Sequence, residues 1–256
     1  FVAAAQVLVN SDIKVSANSV NAAQLPTITN LLTNGSFTTS TPGEAAPTGW
    51  TVGGTNRIYS GARGADGDGG VSMGFGTGFN DISARSFITQ TISTEIGKSY
   101  TFQVEAYGWS SGQDSAVTLS AYDGASAAGT ATVSENFVCG PDQASETHNN
   151  QGRTYSITFT AQSTSTTVRI LDSTAALSVG EDLIVDRAIV FETATGYISG
   201  STGATDTSIN DTLFGTSAND KMAGGTGNDT INGQGGTNTA LYTGSRSQYT
   251  ITIASG

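Results

Sequence analysis

The sequence holds one cysteine, one histidine and four prolines in 256 residues. A single Cys139 excludes a disulfide scaffold, and Cys139 with His148 is too little for a Cys/His zinc site. Lys and Arg number only 10 against 21 Asp and Glu, a formal net charge of −11. Phosphate backbones and anionic bilayers both call for a basic face, so no nucleic acid partner is expected and no anionic membrane surface. No run of about 18 apolar residues occurs, so no membrane insertion is expected either. No stretch sustains a 3.6-residue apolar period, which removes amphipathic helices as the building element. Charged residues are 12% of the chain, about half the usual share, and hydrophobic residues 36%.

Glycine and hydroxyl residues take their place. There are 33 glycines, and Ser and Thr together make up roughly a quarter of the chain. Gly plus Pro stays below the ~25–30% typical of low-complexity disorder. Solubility through hydroxyls and glycine, with little Lys or Glu, is the habit of secreted β-rich proteins. The acid excess favours cations, calcium first, because hard cations take oxygen ligands. The chain starts at Phe1 without a basic n-region and stops just after a strand-like Tyr-Thr-Ile-Thr-Ile, so it is expected to be part of a longer or processed polypeptide.

Three regions follow. Residues 1–28 read as an N-terminal strand and linker, with the alternation Ile13-Lys14-Val15 and a boundary at Pro26. Residues 29–195 read as many short strands split by Gly, Ser and Asn turns, for example 99–106, 116–122, 154–160, 167–171 and 183–190. In 154–160, Tyr155, Ile157 and Phe159 share one face and hydroxyls the other, the two-residue period of a strand with one buried side. Many such strands at short spacing mean an antiparallel β-sandwich. The fold class is therefore all-β.

Residues 196–256 change character: aromatics thin out and a nine-residue repeat begins. Its blocks are DTSINDTLF (206–214), GTSANDKMA (215–223), GGTGNDTIN (224–232) and GQGGTNTAL (233–241). The third matches G-G-x-G-x-D-x-U-x in full, with Asp229 sixth and Ile231 eighth. Glycine permits the tight turn with φ > 0, the sixth residue supplies a charged oxygen, and the eighth points into a thin core. These blocks resemble the RTX calcium-binding repeats. The resemblance implies a short parallel β-roll, half a turn per block, holding Ca²⁺ through Asp211, Asp220, Asp229, Asn210, Asn219, Asn228 and Asn238. Loops on one edge then lie two blocks apart, which stacks Asp211 near Asp229 and Asp220 near Asn238. It also implies type I bacterial secretion. The segment after Asn238 resembles a capping hairpin, in which Tyr242 and Tyr249 would cover the open end.

The sandwich carries a second resemblance. Asn30-Leu-Leu-Thr-Asn-Gly-Ser-Phe37, then Gly49-Trp50, the stretches at 90–102 and 154–160, and the close at 183–190 are similar to carbohydrate-binding modules with a galactose-binding-like jelly-roll. That family often holds a structural Ca²⁺ with an acid just after the opening Phe and an Asp in the last strand. Asp186 matches the second position, while Thr38 stands at the first. Sugar recognition needs flat rings. Trp109, Tyr107, Tyr59 and Phe79 are the candidate ligand-binding residues, with Trp109 foremost; Tyr122 and Phe137 are further aromatic candidates, and Trp50 belongs to the core.

No catalytic constellation survives scrutiny. Gly108-Trp-Ser110-Ser-Gly112 matches a nucleophile-elbow pattern but lacks a following helix. His148 lies in a polar loop, Glu181 and Asp182 are adjacent and so point to opposite faces of a strand, and Cys139 reads as an inert thiol. The expectation is a non-enzymatic, calcium-dependent adhesion or carbohydrate-binding module, secreted to the bacterial cell surface, with a glycan or other surface ligand as partner. Two alternatives stay open: a self-assembling surface-layer or filament subunit, in which an N-terminal strand passes to a neighbour, and an accessory region of a larger secreted enzyme.

Overall fold

The structure, a computed structural model, describes residues 13–15, 28–38, 46–54, 58–60, 70–73, 85–108, 115–139, 153–174, 183–199, 210–225 and 228–242, at 13–15 and 59 through the backbone alone. Among these there is no helix. Sixteen strands run in chain order: β1 (Ile13–Val15), β2 (Thr51–Gly53), β3 (Ile58–Ser60), β4 (Val71–Met73), β5 (Phe87–Ser93), β6 (Ser99–Gly108), β7 (Ser115–Asp123), β8 (Val133–Cys139), β9 (Arg153–Thr160), β10 (Ser165–Asp172), β11 (Leu183–Glu192), β12 (Ile198–Ser199), β13 (Thr212–Phe214), β14 (Lys221–Ala223), β15 (Thr230–Asn232) and β16 (Asn238–Ala240).

Two sheets make the sandwich. One has five antiparallel strands in the order β2-β5-β10-β7-β8. The other has seven, in the order β15-β13-β9-β6-β11-β4-β3. Alternation decides which side chains meet between them. Ile88 and Ile92 on β5, Phe102 and Val104 on β6, Val117 and Leu119 on β7, Ile157 and Phe159 on β9, Val168 and Ile170 on β10, and Val190 on β11 form one buried cluster. This is the all-β, antiparallel sandwich expected, and the alternation read at 154–160 is the buried face of β9.

The opening segment locks both sheets together. The Asn30 side chain accepts from the Leu32 and Val190 amides at 3.0 Å each and donates to the Ala188 carbonyl at 3.0 Å. Gln90 of β5 does the same from the other sheet, accepting from the Thr33 amide at 2.6 Å and donating to the Thr33 and Gly49 carbonyls. Phe37 and Trp50 pack with ring centroids 5.5 Å apart, both buried, and the Trp50 indole N–H reaches the Asn34 carbonyl. Gly35 lies so close to β11 that a Cβ there would collide with the Ala188 carbonyl and the Asn30 amide.

The parallel β-roll is also present, and it is joined to the sandwich. One of its sheets is the end of the seven-stranded sheet: β13 pairs parallel with β9, and β15 with β13. The other is a parallel four-stranded sheet in the order β1-β16-β14-β12. Strand β12 is held against the sandwich by side chains. Gln103 of β6 donates to the Ser199 carbonyl at 2.9 Å and accepts from the Ser199 amide at 3.0 Å, and Arg187 donates to the same carbonyl at 3.1 Å. A second apolar cluster joins Ile189 and Phe191 of β11 with Ile198, Leu213, Met222 and Ile231. The edge of β16 is taken by β1, with Ile13 opposite Asn238 and Val15 opposite Ala240. A C-terminal hairpin was expected in that place; residues 243–256, Tyr249 among them, lie outside the described residues.

Replacing Gly35 by Ala forces an added methyl into this closed contact. The expected cost is about 1–3 kcal/mol, seen as a lower melting temperature of the calcium-saturated chain. An unchanged melting temperature would mean that the opening segment does not press on β11 as described.

Candidate calcium-binding site

The nonapeptide builds the site by repetition. In the first three blocks the sixth residue, an aspartate, immediately precedes a three-residue strand; in the fourth, Asn238 opens β16. The apolar eighth residues Leu213, Met222, Ile231 and Ala240 are all buried. Strands two blocks apart stack in parallel, with Leu213 opposite Ile231 and Met222 opposite Ala240. One full turn of the roll thus takes 18 residues.

Side-chain oxygens run up both edges at the same interval. On one edge the Asp211 amide donates to the Asp229 carboxylate at 3.0 Å, and the Asn228 amide to the Asn210 side-chain oxygen at 2.7 Å. On the other the Asp220 amide donates to the Asn238 side-chain oxygen at 2.9 Å, and the Thr237 amide to that of Asn219 at 2.7 Å. Asp211 and Asp229 stack, and so do Asp220 and Asn238, as the block arithmetic predicts. The carboxylate of Asp220 also accepts from the Thr216 amide and hydroxyl.

The opening glycine of each of the last three blocks has a different role from the one its turn position suggests. Gly215, Gly224 and Gly233 do not carry positive φ. Each instead faces the sixth residue of its own block. A Cβ would meet the Gly233 carbonyl and the Asp220 carboxylate at Gly215, the Asp229 carboxylate at Gly224, and the amide of Asn238 at Gly233. The positive φ falls later in the loop, at Gly225 (103°), Gln234 (57°) and Gly236 (74°). The bare first glycine therefore clears room for the oxygen, and the later residues turn the chain.

Hard oxygen donors in a cradle without side chains suit calcium. No group of three acidic, His or Cys side chains converges among the described residues. A cation would complete its shell with loop carbonyls and the Asn oxygens. Asp211 and Asp229 with Asn210 and Asn228 would hold it on one edge, and Asp220 with Asn219 and Asn238 on the other. Burial raises the Asp220 and Asp229 carboxyls above the ordinary 3.8, and their hydrogen bonds from Thr216 and the Asp211 amide only partly oppose it. Each carboxylate is thus ill at ease without a counter-charge.

The remaining expected residues are placed differently. Asp186 is buried on β11, at the bulge where the register with β6 shifts between Val185 and Arg187. Thr38 is exposed, its hydroxyl 3.2 Å from that of Ser36. Tyr107 is not an open ring: it is 5% exposed and packs on Ile184, because its place on β6 turns it outward onto a covered part of the sheet. Trp109 and Phe79 lie outside the described residues, as does the Tyr59 side chain. Ser110, His148, Glu181 and Asp182 lie outside them too. Cys139 is fully buried, and desolvation pushes its thiol up to about 12. The rings that do lie on the outward face of the five-stranded sheet are Phe87 and Tyr122, on either side of Arg169. Phe87 and Arg169 were not singled out by sequence; an arginine between two core residues, Val168 and Ile170, is the signal that marks that face.

The family described as the RTX calcium-binding nonapeptide repeat, four copies, matches residues 206–240. No curated protein matches the chain. Among solved structures, the chain is similar to the enzymatically active domain of bacteriophage CBA120 tailspike protein 4, at 16% identity over 64% of this chain and TM-score 0.43. This chain spans about a fifth of that one's length (21%). It is also similar to a CBM4 structure, at 14% identity over 63% of this chain and 99% of that one, TM-score 0.44. A third is the CBM22-1 xylan-binding domain of Paenibacillus barcinonensis Xyn10C, at 12% identity over 67% and 97%, TM-score 0.42. Residues 206–240 are RTX repeats, and calcium is their cofactor.

Two outcomes follow for the roll. Asp229→Ala removes one of a stacked pair of carboxylates, whereas Asp220→Ala removes the single carboxylate of a pair that Asn238 completes. Calorimetric titration should show a loss of calcium affinity roughly tenfold larger for Asp229→Ala; calcium affinity unchanged in both variants would dismiss the roll as the calcium site. The pH dependence has a defined sign. A carboxyl raised in the folded state opposes folding as pH climbs past the unfolded value of 3.8 toward the folded one. In EGTA the roll should therefore melt at a lower temperature at pH 7 than at pH 4, and saturating calcium, which takes only carboxylates, should reverse that order.

Proposed function

We propose that this chain is a non-catalytic, calcium-dependent binding module of an exported bacterial protein, whose sandwich takes a glycan or another cell-surface ligand. The observation that carries this reading is the division of labour between the sheets. The seven-stranded sheet gives its outward face to the roll, through Gln103, Arg187, Ile189 and Phe191. Among the described residues, no roll strand pairs with the five-stranded sheet. Its outward face is a broad strip of hydroxyls and an amide, including Thr89, Thr91, Thr118, Ser134 and Asn136, with ring surface beside them. Hydroxyls and rings on a broad face are what a sugar chain needs from a protein.

Calcium supplies the condition for assembly. Without a cation the roll must bury carboxyls that resist ionising there; with millimolar calcium outside a cell, binding free energy becomes folding free energy. An acidic chain free of disulfides suits passage in an unfolded state through a type I exporter. The high Cys139 pKa supports a thiol with no nucleophilic duty. The pairing of β1 with β16 of its own chain favours a self-contained module over a subunit that hands its first strand to a neighbour.

Light scattering in EGTA and then in a few millimolar calcium, followed by a glycan array, tests the reading. A monomer that contracts on adding calcium and then retains glycans supports it. Growth into large ordered assemblies would replace it with the surface-layer or filament reading, and binding to no glycan would leave an accessory role within a larger secreted enzyme.

A further inference from the structure

Among the described residues, one base on the outward face of the five-stranded sheet stands without an acid. Arg85 lies 3.8 Å from Asp172, Lys98 3.0 and 3.2 Å from Glu95 and Glu192, and Arg187 3.6 Å from Glu105. Arg169 of β10 meets no carboxylate among the described residues. Its guanidinium carbon sits 4.9 Å from the ring centre of Tyr122 and 5.7 Å from that of Phe87. Its Nε–H is buried with no hydrogen-bond acceptor, while the residue as a whole keeps part of its surface in solvent. Among the described bases, Arg169 is the one set between two aromatic rings.

The surroundings hold the charge in place without neutralising it. Tyr122 is buried, and the Phe87 ring lies over Gly53, where a Cβ would collide with it. Ring faces attract a cation yet leave its N–H groups unsatisfied. In register, Arg169 lies between Thr89 and Ser120, with Ser134 beyond. The residues of β2, β5, β7, β8 and β10 that alternate away from the core include no Asp or Glu. The strip is thus neutral and hydroxyl-lined around a single fixed positive charge.

We infer that this face selects an acidic sugar, with Arg169 as the residue that sets the specificity. A planar guanidinium matches the two oxygens of a uronate carboxylate or of a sulfate ester. The neighbouring Thr89, Thr91 and Asn136, which keep exposed surface, are then placed for the hydroxyls of the same chain. The inference rests on the glycan-binding reading above and adds the class of glycan.

Calorimetry on the calcium-loaded chain tests it, with three kinds of short oligosaccharide too small to gel with calcium: oligouronates, sulfated oligosaccharides and neutral xylo- or galacto-oligosaccharides. The expected result is binding to one acidic class, which identifies the acid as carboxylate or sulfate. Affinity should fall about 10- to 100-fold in Arg169→Gln, the range for a lost hydrogen bond to a charged group. Arg169→Lys, which keeps the charge but not the fork, should lie between. Near-ultraviolet circular dichroism checks that each variant is folded. Neutral oligosaccharides bound as tightly as acidic ones, or acidic binding unchanged in both Arg169 variants, would overturn the inference and leave glycan binding intact. Binding to none of the three would overturn both.

Discussion

The parallel pairing of Thr212 and Leu213 with Arg153 and Thr154 is the contact on which the second half of the molecule depends. A nine-residue block offers a single apolar side chain, and few blocks stacked alone enclose too thin a core to hold together. Here the sandwich acts as the rung below the first. Strand β9 gives β13 an edge to pair with, and Ile189 and Phe191 give Leu213, Met222 and Ile231 a wall to bury against. Phe214 stacks on Tyr155 at 5.3 Å, so the same strand also closes one side of the sandwich core. Sandwich and roll consequently share a sheet and an apolar boundary.

Such sharing makes metal binding felt well beyond the loops. The carboxylates sit at strand starts, and each strand is part of a ladder that runs back into the sandwich. What calcium does to Asp211 or Asp220 therefore bears on the pairing of β13 and β14, and through β13 on β9. The Gln103 side chain reinforces the joint. Its amide satisfies both backbone groups of Ser199, as a neighbouring strand would, and allows the chain to pass from antiparallel to parallel bonding without orphaned polar groups.

Much of this is legible in the residues themselves, where the signal is local and periodic. The roll has a fixed interval of nine with its aspartates in phase, so the 18-residue stacking follows by arithmetic. The sandwich core follows from two-residue alternation, as at Tyr155, Ile157 and Phe159. What stays hidden depends on which strands become neighbours. Nothing near Ile13 indicates a partner at Asn238, because that pairing joins opposite ends of the chain. Tyr107 alternates onto the outward face of β6, and only the covering of that face makes it a buried residue. Arg169 finds Phe87 and Tyr122 across two separate pairings, β10 with β5 and β10 with β7. The opening glycines of the last three blocks also read the same whether they serve φ or space, and only the folded loops separate the two.

Cys139, enclosed between the sheets with its thiolate strongly disfavoured, gives the protein a built-in clock. While the sandwich stays closed, no alkylating reagent can reach the only thiol in the chain. Its labelling rate then counts the moments at which the sheets part, with nothing added to the molecule. By the same logic, a disulfide-linked pair of chains would record that both were open when they met.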